Sequence, residues 1–184
     1  MAVERTKGAR GAARTELVAV RFDPKTKYLM ELAARVQRRS VANYVERAVE
    51  ESLRNVTLEY QGTQTPITEV AEELWDVDEA ERFYYLARVL PGLLTHDEQM
   101  VWKLIEEKDQ LWGTKGGTRV AAVNAEFRHF YAAAKYAVGT GADIETVRAA
   151  LAGDGAAVES IGLDTWAKAQ RGEAVPGKKT RKTS

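Results

Sequence analysis

The 184-residue sequence contains no cysteine. That excludes a disulfide framework, a thiolate metal or redox centre and a thiol nucleophile, and it suits a reducing cytoplasm. Histidine is nearly missing: His96 and His129 are the only two, and neither falls in an HExxH or paired-His spacing from which a zinc hydrolase is built. No serine lies in a GxSxG elbow. The run Gly113-Thr114-Lys115-Gly116-Gly117-Thr118 lacks the GxxxxGK[ST] spacing of a phosphate loop and reads as a plain turn. The carboxylates Glu72, Glu73, Asp76 and Glu106, Glu107, Asp109 follow one another along the chain instead of converging, the pattern of solvated surface and not of a hard-cation site. No apolar run approaches a membrane span, and the basic start MAVERTKGARGAART has no apolar core of the secretory kind. With no catalytic residue, no metal ligand set and no cofactor loop, neither an enzyme nor a cofactor is expected.

Net charge is also missing, formally zero, but that figure conceals a division. Met1 to Val56 carries 12 basic against 7 acidic residues, Thr57 to Gly172 carries 11 against 19, and Glu173 to Ser184 carries 4 against 1. A basic front joined to an acidic middle is what a DNA-contacting module attached to a non-contacting one should show, because phosphates need cations only at the contact surface.

What is present is concentrated between Thr15 and Val56. Leu17, Val18, Ala19, Val20, Arg21 and Phe22 alternate, so a strand would put Val18, Val20 and Phe22 on one face and Leu17, Ala19 and Arg21 on the other. Asp23-Pro24 stops that strand and starts a helix, with Asp23 as cap and proline at the first helical position. From Lys25 to about Arg38 the apolar positions Tyr28, Leu29, Leu32, Ala33 and Val36 step by one, three and four, giving one buried stripe. Arg38-Arg39-Ser40 interrupts, and Ser40 caps a second helix whose inward positions Val41, Tyr44, Val45, Ala48, Val49, Ser52 and Leu53 again step by three and four. A lone strand with two short helices buries too little to stand alone. The expected solution is a dimer: two strands pair as an antiparallel ribbon over four interlocked helices, burying Val18, Val20, Phe22, Leu29, Leu32, Val45 and Val49.

The spaced features V-x-V-R-F-D-P, ELAARVQRRS and SVANYVERAVEESL resemble the ribbon-helix-helix DNA-binding proteins of the Arc, MetJ and CopG type, over Thr15 to Val56 only. The resemblance implies a ribbon inserted in the major groove, with Leu17, Ala19 and Arg21 as base readers. It implies a phosphate held at the start of the second helix, by Ser40, Val41 and Ala42. Leu17 and Ala19 depart from the polar readers frequent in the family, since they offer only apolar contact, for instance to a thymine methyl; readout leans on Arg21. The implied function is a cytoplasmic, sequence-specific DNA-binding transcriptional regulator acting as a repressor. Alternatives that share the module are a plasmid partition or conjugation accessory protein and an antitoxin. A protein that only dimerises through these residues and engages a partner is the alternative outside nucleic-acid binding.

Around this unit, residues 1–14 read as a disordered basic arm, with Arg10 and Arg14 placed to meet phosphates. Residues 57–66 read as a linker and 67–152 as an all-α domain of four or five helices. Helices are expected over Glu69 to Trp75, Glu79 to Leu90, His96 to Trp112, Thr118 to Val138 and Asp143 to Leu151, and residues 153–184 read as a flexible basic tail with one turn of helix at Leu163 to Ala169. Trp75, Trp102, Trp112, Tyr84, Tyr85, Tyr131 and Tyr136 are expected in the core, with a ligand pocket or partner groove as the alternative. The fold class expected is thus mainly α: a dimeric ribbon-helix-helix followed by a helical domain open to a protein or small-molecule partner.

Overall fold

The computed structural model describes residues 18–115 and 118–173, and the chain divides into two compact units, Met1–Val56 and Thr57–Ser184. It is mainly helical, with two small antiparallel sheets of two strands each among the described residues.

In the first unit, α1 spans Pro24–Val36 and α2 spans Val41–Arg54. The Asp23 carboxylate accepts from the backbone N–H groups of Lys25 and Thr26 and from the Thr26 hydroxyl, which satisfies the donors that a helix start leaves open. Between the helices the chain makes a Schellman turn. Arg39 N–H donates to Ala34 O at 2.9 Å and Arg38 N–H to Arg35 O at 3.0 Å, with Arg38 left-handed at φ 52°. The unit is open: among its described residues only Ala34 is buried.

No strand forms over Val18 to Phe22. A strand exists by virtue of its ladder partner, and one chain supplies none here. The side chains expected in a dimer core are correspondingly uncovered in the single chain: Val18 is 80%, Val20 61%, Phe22 46%, Leu29 53% and Val49 51% exposed, while Leu32 and Val45 are half-buried.

The stretch expected to be a linker is instead a hairpin that opens the second unit. Its strands are β1 (Thr57–Tyr60) and β2 (Thr63–Pro66), with Thr57 opposite Pro66 and Tyr60 opposite Thr63. Gln61 and Gly62 form the two-residue connection with φ 51° and 78°, the left-handed pair that matches strand twist. Then follow α3 (Ile67–Leu74), α4 (Glu79–Val89), a 3-10 turn at Pro91–Leu93 and α5 (His96–Glu107). The capping box Thr95/Glu98 opens α5 as the sequence pattern suggests.

Two further boundaries differ from expectation. Helix α5 ends at Glu107, not Trp112; a 3-10 turn at Asp109–Leu111 leads into β3 (Trp112–Lys115), which pairs with β4 (Thr118–Ala121). Gly113 to Lys115 and Thr118 of the supposed plain turn thus lie in paired strands, and α6 begins only at Ala125, running to Gly139 under an Asn124 cap. Order also continues past Gly153: after α7 (Ile144–Leu151) come α8 (Gly155–Ile161) and α9 (Leu163–Gln170). Ile161 is buried, and the Trp166 ring stacks on Tyr136 at 5.2 Å between centroids, so this part of the supposed tail is built into the domain. Residues 67–152 thus hold five α-helices, α3 to α7, within the four or five expected there, and α8 and α9 add two more from the stretch expected to be a tail.

The core lies among α4, α5, α6 and α7, around Phe127 and Ile105, both fully buried, and Val147. Aromatic rings interlock there: Tyr84 meets Phe127 edge-on at 5.7 Å, Trp102 meets Trp112 at 5.7 Å, and Phe83 lies 4.8 Å from Tyr131. Their polar ends are satisfied, since Trp112 Nε1–H donates to Ile105 O and the Tyr84 hydroxyl accepts from Ala121 N–H. Two of the expected core set depart from it: Tyr136 is half-buried and stacks on Trp166 outside the core cluster, and Trp75 lies at the surface. It is 65% exposed, with the Arg82 guanidinium over its ring at 4.9 Å.

Candidate nucleic-acid interface

Of the expected base readers, Leu17 lies outside the described residues, as do Arg10 and Arg14 of the arm. Ala19 and Arg21 are described, and both are exposed. Arg21 stands two residues before the Asp23 cap and is exposed, with no ion pair to another described residue. The Asp23 carboxyl is held below the ordinary carboxylate range, first by the Thr26 hydroxyl and then by the Thr26 backbone N–H. It therefore stays ionised and committed to the cap.

The expected phosphate site is at the other end of α1. Ser40 has extended backbone and its Oγ accepts from Asn43 N–H at 3.2 Å, which fixes the start of α2. Val41 and Ala42 occupy the first two helical positions, whose N–H groups have no carbonyl to meet inside the helix, and all three residues are exposed. The Schellman turn adds two cations that the sequence reading treated only as an interruption: Arg38 and Arg39 immediately precede the cap, and both are exposed. Adjacency to a helix N-terminus was the available signal.

These two groups are not brought together within one chain. The 13 residues of α1 separate them, and at about 1.5 Å per residue that is roughly 20 Å of helix. The residues do share a charge bias. From Val18 to Val56 there are eight Lys or Arg against five Asp or Glu.

His96 and His129 are both exposed, and among the described residues no group of three or more His, Asp or Glu is arranged to hold a metal ion. No helix among the described residues is long and apolar enough to cross a membrane.

No protein-family model matches the chain, and neither a curated protein nor a solved structure matches it. The functional reading rests on the geometry and chemistry of residues 18–56.

Proposed function

We propose that the chain is a cytoplasmic DNA-binding regulator that dimerises through its first unit and lays a two-stranded antiparallel ribbon in the major groove, repressing transcription by occupying its site. The observation that carries this is the open apolar face of the first unit. Val18, Val20, Phe22, Leu29 and Val49 are all about half or more exposed in a single chain, although their spacing puts them on the inward faces of one strand and two helices.

Two helices with one buried residue among the described ones cannot offset the entropy of ordering their own backbone. A second copy supplies what is missing: an identical strand to complete the ladder, and an identical apolar face related by a two-fold axis. Pairing that covers Val18, Val20 and Phe22 turns Ala19 and Arg21 outward, because side chains on a strand alternate. The major groove admits a two-stranded ribbon, and an arginine there can bind a guanine edge through two parallel hydrogen bonds. Ser40, Val41 and Ala42 of each copy then serve as phosphate anchors, with Arg38 and Arg39 adding charge.

The test is Arg21→Ala in a gel-shift titration against genomic fragments selected by the native protein. Specific affinity should fall about ten- to hundredfold, as expected for loss of one two-bonded base contact, while sedimentation still shows a dimer. Unchanged affinity would show that the ribbon is not the reader.

A further inference from the structure

Two cavities adjoin in the second unit, and they share Glu79, Tyr131, Lys135 and Gly139. The inner one, about 270 Å³, is walled by Phe83, Val101 and Val138; the outer and more open one, about 440 Å³, is bounded by the stacked pair Tyr136 and Trp166. Glu79, in the first turn of α4, stands at the boundary between them. Its Oε1 accepts from the Tyr131 hydroxyl at 3.2 Å and from Lys135 Nζ. The two donors differ in kind: Tyr131 is 7% exposed and packed on the Phe83 ring, whereas the Lys135 side chain is 55% exposed.

We propose that this groove binds a compact organic cation with an apolar body, of the arylalkylammonium class. The ligand's ammonium takes the place of Lys135 on Glu79, held from the other side by Tyr131, and its ring fills the inner cavity between Phe83, Val101 and Val138. Charge selects the sign of the ligand. The lining residues carry Glu79, Asp97 and Glu98 against Lys135, and even with Arg82 acting on Glu79 from nearby and Glu98 engaged by Thr95 the balance is negative, so an anion meets a repelling rim and a cation an attracting one. Size selects the class: a cavity of this volume takes a small molecule with one apolar group and a few fixed polar partners, not a protein segment. The site lies wholly within the second unit, so it stands or falls apart from the DNA reading.

Titration calorimetry on the full chain with 2-phenylethylammonium and with 3-phenylpropionate, which share size and ring but differ in charge, is the test. The account expects saturable one-to-one binding of the amine, at least tenfold weaker binding of the carboxylate, and at least a tenfold loss for Glu79→Gln with unchanged far-UV circular dichroism. Lys135→Met, at a largely exposed position, should tighten amine binding by twofold or more, since it removes the competing cation. Absence of saturable amine binding, equal binding of the carboxylate, or a folded Glu79→Gln protein with native affinity would overturn the proposal. Should Glu79→Gln fail to fold, Lys135→Met decides: unchanged or weaker amine binding overturns it.

Discussion

Arg38 and Gly62 occupy the same backbone region for different reasons. Arg38, at φ 52°, is the left-handed residue of the α1–α2 turn, a position where a Cβ is disfavoured and glycine is the usual occupant. Arg38→Gly should therefore raise the unfolding free energy of the first unit, by about 0.5–1 kcal/mol after the added freedom of the unfolded chain is counted. Gly62, at φ 78°, already has the permissive residue; a Cβ there would meet no neighbouring atom within 4 Å, so any cost of Gly62→Ala comes from the backbone alone. Thermal unfolding of the two variants should move in opposite directions, and a shift of the same sign in both would contradict the turn assignments. These two residues also mark what can be read from sequence. Ser40 and Asp23 were legible as caps because their side chains make the stabilising bond themselves. Arg38 was not, because nothing in an arginine announces a left-handed backbone.

At the scale of elements, the helices with a clear stripe were legible and the hairpins were not. Tyr60-Gln61-Gly62-Thr63 lacks the Asn-Gly or Asp-Gly pair that signals a tight turn, and β1 alternates Thr57, Leu58, Glu59, Tyr60 over only four residues. The second hairpin was hidden by continuity of apolar spacing: Leu111 and Val120 fit helical stripes in the sequence although they sit in a 3-10 turn and a strand. Helix α8 was missed, and α9 was legible only as one turn at Leu163 to Ala169, because Ala- and Gly-rich composition resembles a tail, while their hold on the domain comes from buried Ile161 and from Trp166 stacked on Tyr136, a residue distant in sequence.

Ion pairs tie some of these elements together, and one gives a pH dependence. Arg148 on α7 makes a two-bonded contact with Glu107 at the end of α5, both distances 2.8 Å. That contact holds the Glu107 carboxyl below its ordinary value of 4.5. Glu79 is held down in the same sense, first by Lys135. A carboxyl with a depressed folded pKa binds fewer protons in the native state than when unfolded. Its stabilisation is therefore complete above the unfolded value and lost as pH falls through the folded one. The thermal midpoint should stay level at neutral pH and decline below about pH 4.5. Arg148→Ala should lower the midpoint at pH 7, modestly because both partners are over a third exposed, and its deficit should vanish in acid. A deficit independent of pH would show that Arg148 acts through packing alone.

For the whole molecule, the division of charge and of burial run together. The second unit has a closed core with no unsatisfied buried side-chain polar atom among the described residues. The first is basic and open. What the sequence could not display is the partner: alternation at Val18 to Phe22 was legible, but no single chain can show the ladder that such alternation serves. Salt distinguishes a DNA-binding dimer from one that merely associates. If six or more phosphates are neutralised, affinity for DNA should fall by about a thousandfold or more between 50 and 200 mM salt. No affinity even at low salt would favour a purely protein-binding role.

The most direct measurement uses the missing cysteine. Paired side chains in an antiparallel ribbon share a face, so its two-fold axis must pass a residue, and Ala19 is the middle one of the outward set Leu17, Ala19, Arg21. Two copies of Ala19 would then face each other at a Cα separation of about 4.5–5.5 Å, within the roughly 4.4–6.8 Å that a disulfide spans. Mild oxidation of an Ala19→Cys protein, the sole cysteine in the chain, should convert it nearly completely to a covalent dimer, while Lys25→Cys treated alike stays uncrosslinked. An Ala19→Cys protein that remains monomeric under oxidation would contradict the ribbon, and with it the proposed mode of DNA binding.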